Sequence, residues 1–75
     1  MAEYPFDVHT TPRLTVTELS VLRLVSEGYS SKAVAERLEC SKRTVDFHLG
    51  NIYAKYDVNN RVQAINKARE LNAFA

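Results

Sequence analysis

What narrows this chain most is the spacing of small and apolar residues in SKAVAERLECSKRTVDFHLGNIYAK, residues 31 to 55. Ala35 lies between the apolar Val34 and Leu38, and Val45 follows ten residues after Ala35. At that interval two helices joined by a tight turn can cross steeply and touch over a small side chain. The turn falls at Leu38, Glu39 and Cys40, because Ser41 is a strong N-cap whose hydroxyl accepts from an otherwise free backbone N–H of the next helix. The spacing therefore predicts a short helix, a tight turn and a longer helix over about 42–56, a helix-turn-helix arrangement.

The faces of the longer helix differ in chemistry. At about 100° per residue, Val45, Leu49, Ile52 and Tyr56 fall on one narrow side and face the core. Opposite them lie Arg43, Asp46, Phe47, Gly50 and Ala54, so an aromatic ring and a glycine stand where solvent is expected. Thr44, His48, Asn51 and Lys55 line one flank at steps of four, three and four. A helix laid in the major groove of duplex DNA needs this division into a core side, a base-facing side and a flank of donors for phosphate oxygens. The same pattern on an isolated helix also fits an ordinary solvated polar face, and it is the preceding helix and turn that favour the groove.

The remaining helices announce themselves by their caps. Thr15 and Glu18 form a capping box ahead of Leu19, Val21, Leu22, Leu24 and Val25, and Gly28 supplies a left-handed C-cap. Ser30 or Ser31 caps the helix carrying Lys32, placing backbone donors and a cation where a phosphate oxygen is stabilised, although a plain surface cap fits equally well. After a break at residues 57–60, Asn60 and Gln63 start a last helix in which Val62, Ile65, Ala68 and Leu71 recur at helical spacing. Ala64 and Ala68 are small enough to admit another helix. If Ala64, Ile65, Ala68 or Leu71 stays exposed, that face is a seam for a two-fold dimer; the competing expectation is that the whole apolar set is intramolecular. The fold class is thus all-α, a four-helix bundle containing a helix-turn-helix without a wing.

Seventy-five residues suffice for one small domain, in which the helices must pack efficiently. The formal net charge of +1 argues little by itself. Its distribution argues more: residues 32–69 hold eight Lys or Arg against four acids, while the rest holds two against five. One cysteine excludes an internal disulfide framework, and nothing supplies the other ligands of a metal site. Cys40 occupies a place where a small hydrophobe would plug the core, with redox sensing or metal binding as lesser readings. No apolar run approaches the roughly 18 residues of a membrane span, and no secretion signal is visible, so a cytoplasmic setting with no membrane partner is expected. Residues 1–13 contain both prolines and read as a flexible N-terminal arm or disordered lead-in, unless Tyr4 and Phe6 pack back on the body or the arm meets a partner, ahead of a domain over 14–75. The arm is too short for a sensory domain. His9 and His48 stand in no arrangement with a nucleophile or carboxylate that would make an enzyme, and no cofactor or small-molecule ligand is expected.

From Leu14 to Ala64 the chain resembles the LuxR-type helix-turn-helix domain, also called GerE-like and found in NarL and FixJ regulators. The resemblance rests on Leu14, Thr15, Glu18, Val21, Leu22, Leu24, Gly28, Ser30, Lys32, Val34, Ala35, Leu38, Ser41, Thr44, Val45, His48, Ile52, Lys55, Val58, Asn60, Arg61 and Ala64, in register and without a gap. It implies a four-helix DNA-binding domain of bacterial transcription regulators, with the third helix in the major groove and the fourth forming a dimer interface. Lys32, Thr44, His48 and Lys55 match positions associated with backbone contact, to which the helix faces add Ser31 and Asn51. Asp46, Phe47 and Gly50 match positions that commonly read bases, with Arg43 beside them. Glu18 and Arg61 match family hallmarks and are expected to form a structural ion pair between the first and fourth helices. Thr17, Ser31 and Tyr56 depart from the common Arg, Asn and Leu. Asp46 stands where many relatives carry Lys or Arg, which alters the expected sequence preference.

Two functions follow from these readings. The favoured one is a sequence-specific regulator that binds double-stranded DNA as a homodimer, resembles the free-standing members of the family, and has RNA polymerase or a larger LuxR-type regulator as further partners. The alternative is a small interaction module that heterodimerises with such a larger regulator and blocks its DNA binding.

Overall fold

Four capped helices make up the fold of the described residues: α1 (Val16–Ser26), α2 (Ser31–Leu38), α3 (Lys42–Tyr56) and α4 (Arg61–Glu70). They are seen in a computed structural model that describes residues 13–74. The expected arm and its Tyr4 and Phe6 lie outside the described residues, apart from Arg13. Each helix begins on a side chain that accepts from a backbone N–H two or three positions into the helix: Thr15 from Glu18, Ser30 from Ala33, Ser41 from Thr44 and Asn60 from Gln63. The capping box on α1 is complete, with the Thr15 N–H donating back to Glu18 Oε1 at 2.9 Å. On α4 the return bond is displaced by one residue, Asn59 N–H donating to Gln63 Oε1 at 2.8 Å.

Helix ends are set with similar economy. Gly28 takes φ 101°, and Tyr29 N–H reaches back to the Leu24 carbonyl at 3.2 Å, the closing bond of a Schellman turn. The turn between α2 and α3 uses Glu39 in the left-handed region, φ 57°, with Cys40 N–H on the Ala35 carbonyl at 2.9 Å. Asp57 repeats this after α3, where Val58 N–H bonds Tyr53 at 3.0 Å. Glu39 and Asp57 hold a conformation that favours glycine, so these turns are maintained by the hydrogen bonds and packing around them.

The buried core is formed by Val21, Leu22 and Val25 of α1, Val34 and Ala35 of α2, Val45, Leu49, Ile52 and Tyr56 of α3, and Ala64 and Ala68 of α4. Helix α3 touches all three of the others and is the axis of the bundle. Ala35 and Val45 are both buried, as the ten-residue spacing predicts. The last residues fold back, with Leu71, Ala73 and Phe74 packed on the core and the Arg23 guanidinium over the Phe74 ring at 5.5 Å from its centroid.

Two expectations are corrected here. Ala64 and Ala68 are fully buried within the monomer, so neither can belong to an intermolecular seam. Their small side chains let α4 lie close to its neighbours, and the helix turns its other side, with Val62 at 64% exposed and Ile65 half-buried, toward solvent. Leu71 is also half-buried and packs on the core. Cys40 is exposed and plugs nothing, because the turn after Leu38 points it outward.

A larger side chain at Ala68 has no space to occupy. Ala68→Leu is expected to cost about 1–3 kcal/mol by overpacking, or roughly 4–8 °C of Tm per kcal/mol in a domain of this size. Val62→Ser is expected to move stability by less than about 0.5 kcal/mol. Thermal denaturation followed by circular dichroism checks both, and a tolerant Ala68 would contradict the packing described.

Candidate nucleic-acid interface

The outer side of α3 is unusual for what it leaves uncovered. Phe47 is 65% exposed although eleven other residues supply a complete apolar core. Its ring meets His48 edge-on, with centroids 5.9 Å apart. One turn on, Gly50 is helical and a Cβ built there would meet nothing within 4 Å. Neither packing nor backbone geometry requires a glycine, which in a helix interior costs about 1 kcal/mol relative to alanine. Arg43, Asp46 and Ala54 are exposed on the same side. The surface so formed has an aromatic ring, a cation, a carboxylate and a gap beside the ring.

The expected phosphate flank divides on inspection. Thr44 is exposed, its hydroxyl 3.0 Å from Ser41 Oγ, and Lys32 is exposed near the start of α2. His48 and Asn51 are half-buried. Ser31 is buried at 6% exposure and accepts from Arg61 Nη2 at 3.2 Å, so its hydroxyl is engaged within the protein and does not join the flank. Lys55 is also engaged within the protein: its ammonium lies 2.7 Å from Glu18 Oε1 and 3.5 Å from the Arg13 carbonyl. Glu18 and Arg61 therefore do not pair with each other. The C-terminal turn of α3 passes the N-terminus of α1 and puts Lys55 on Glu18, while the long Arg61 side chain at the start of α4 reaches across to Ser31 at the start of α2. Two cross-links replace the one expected, tying α1 to α3 and α2 to α4.

Glu18 is a buried carboxylate, 4% exposed. Burial raises its pKa, but the hydrogen bond from Lys55, that from the Thr15 N–H and the Lys55 charge together outweigh it and hold the group below its ordinary 4.5. Tyr56 is buried close by, and desolvation followed by the Glu18 charge pushes its phenol up.

On the exposed side, Lys42 Nζ donates to Asp46 Oδ2 at 2.8 Å, one helical turn apart. This pair was not singled out in the sequence, although Lys and Asp four residues apart on a helix are a readable signal. The Lys42 hydrogen bond is the main reason that the Asp46 carboxyl sits below its usual range, and Ser31 and Arg61 act in the same sense. A separate depression of about 450 Å³, lined by Arg13, Leu14, Leu19, Tyr56 and residues 71–73, involves none of the outer-face residues of α3. Among the described residues no group of His, Cys, Asp or Glu could hold a metal ion, and no helix is long and apolar enough to cross a membrane.

A second helix packed across a small residue on the first and presenting an uncovered outer face defines a helix-turn-helix domain. The chain belongs to the LuxR family of bacterial regulatory proteins, whose GerE description it matches over residues 12–68. It is 53% identical over 55 residues to a putative HTH-type transcriptional regulator of Mycobacterium tuberculosis, a match spanning 73% of this chain and only 6% of that protein. Among solved structures, the transcription factor GerE superposes with a TM-score of 0.76 at 34% identity, covering 79% of this chain and 88% of that one. The response regulator ChrA of a heme-sensing two-component system gives 0.78 at 37% identity, covering 80% of this chain and 30% of that one. By name the first is a transcriptional regulator, the second a transcription factor and the third a response regulator.

The buried pair sets a pH dependence whose sign follows from the lowered pKa. Ionised Glu18 contributes stability that is complete above its unfolded-state pKa and is lost as pH falls through the depressed folded-state value. Wild-type Tm is expected to fall on acidification below about pH 4.5, and Glu18→Gln is expected to flatten that fall while lowering Tm at neutral pH. Lys55→Met is expected to cost about 1–3 kcal/mol at pH 7, since it leaves a buried carboxylate without its partner. Melts across pH check these effects, and an unchanged acid limb in Glu18→Gln would remove Glu18 from the account.

Proposed function

We propose that this chain is a transcription regulator that binds double-stranded DNA sequence-specifically, with α3 in the major groove, and that it acts as a homodimer. The observation that carries this reading is the uncovered Phe47 beside Gly50 on the outer face of α3, two features the fold does not use. Phe47 is suited to pack on a thymine methyl, Gly50 admits the edge of a base or sugar, and Arg43 and Asp46 offer a donor and an acceptor to guanine and cytosine edges. Lys32, Thr44, His48 and Asn51 supply phosphate contacts around them. Lys55 acts as scaffold and at most contributes its field. The dimer seam is the outer side of α4, centred on Val62 and Ile65 in place of the two alanines. A bacterial cytoplasmic location follows from the DNA target.

Binding of the purified chain to random and genomic duplexes, followed by fluorescence anisotropy across salt and by selection of bound sequences, tests this directly. The expected outcome is a steep fall of affinity with salt, about 0.9 in slope for each phosphate neutralised. The enriched motif is expected to be two-fold, with half-sites about one helical turn, ~34 Å, apart. Phe47→Ala is expected to change the selected motif. Val62→Glu is expected to give monomers in sedimentation without loss of fold. A folded chain that binds no duplex at low salt would sink the regulator reading and favour a module that pairs through Val62 with a larger LuxR-type regulator and blocks its DNA binding.

A further inference from the structure

Lys42 is the cation nearest the outer face of α3 that the reading above leaves unassigned. It occupies the first position of the helix, where the positive end of the dipole disfavours a cation, and its Nζ is held 2.8 Å from Asp46 Oδ2. Both side chains are exposed, at 63% and 47%, and neither belongs to the core, so the pair can open without disturbing it. An exposed pair one turn apart is weak, and it opens when the carboxylate, which Ser31 and Arg61 also favour in its charged form, finds a better donor than Lys42. Asp46 is also the acceptor on the face assigned to base edges, and among the bases cytosine presents the N4 amino group that a carboxylate reads.

Resting on the DNA-binding reading, we propose that Lys42 is a phosphate contact gated by Asp46. Over a base pair without a cytosine amino group in reach, Asp46 keeps Lys42, and the carboxylate offsets its charge. Over the matching cytosine, Asp46 turns to N4 and releases Lys42 to a backbone phosphate. A base contact and a phosphate contact are thereby coupled, so the correct base is rewarded twice. The wrong one leaves the two side chains paired with each other, so neither the base contact nor the phosphate contact forms.

The test uses the full chain, the duplex selected from random sequence, and a set of duplexes in which each C·G pair is replaced by T·A in turn. For the wild type, one replacement per half-site is expected to lower both affinity and salt slope, the slope by about 0.9 for each half-site. The corresponding loss of salt sensitivity is about 3.5-fold per half-site for a fourfold rise in salt. Other replacements are expected to lower affinity at constant slope. In Asp46→Ala, Lys42 is free on every duplex, so no replacement should change the slope. In Lys42→Gln, the slope on the selected duplex should fall to that of the replaced one, while a preference for cytosine at that pair persists. Circular dichroism melts establish that both exposed-site variants are folded. A wild-type slope that no replacement alters, or a slope change that survives in Asp46→Ala, overturns the gate while leaving DNA binding intact. Absence of binding to every duplex by the folded wild type overturns the gate together with the reading beneath it.

Discussion

The structure depends on how closely three helices can approach one side of α3. Val45, Leu49, Ile52 and Tyr56 make a continuous buried stripe, and the residues pressed against it include Ala35, Ala64 and Ala68. Small side chains at these places bring helix axes near enough for a 75-residue chain to close a core without an aromatic residue at its centre other than Tyr56. Close packing on one side of α3 fixes its rotation about its own axis. The opposite side, with Arg43, Asp46, Phe47 and Gly50, is thereby held outward as a rigid surface, and the precision of any reading of bases depends on that rotation.

Charge is partitioned between scaffold and surface. Lys55 and Arg61 are directed inward, to Glu18 and Ser31, and each joins two helices that the short connections alone do not lock together. Lys32 and Arg43 face solvent, and Lys42 faces it through an opposing carboxylate. The basic bias of residues 32–69 therefore overstates the cations free to meet phosphate, since two of them serve the fold. A helix terminus reinforces the division: Lys55 lies in the last turn of α3, where the dipole favours a cation, and there it pairs with Glu18.

Much was legible in the sequence because its determinants are local. The bounds of α3, the caps at Thr15, Ser41 and Asn60, the turn at Leu38 to Cys40 and the buried stripe each depend on residues within one or two turns of one another. The exposed face of α3 followed from the same periodicity, as did family membership from the register of its motif. The side of α4 on which Ala64 and Ala68 lie was not legible, because two alanines can lie on either side of a helix and only the position of α4 against α1 and α3 decides which side is buried.

Sequence by itself determined four helices, their order and the chemical difference between the two sides of α3, because periodicity and capping are properties of neighbouring residues. Tertiary structure alone decided that Glu18 meets Lys55 across 37 positions and that Arg61 meets Ser31 across 30. It also decided that Ala64 and Ala68 belong to the core while Val62 does not. Such pairings depend on the angles at which helices cross, which sum the packing of every side chain in the bundle and are written in no single stretch of the chain.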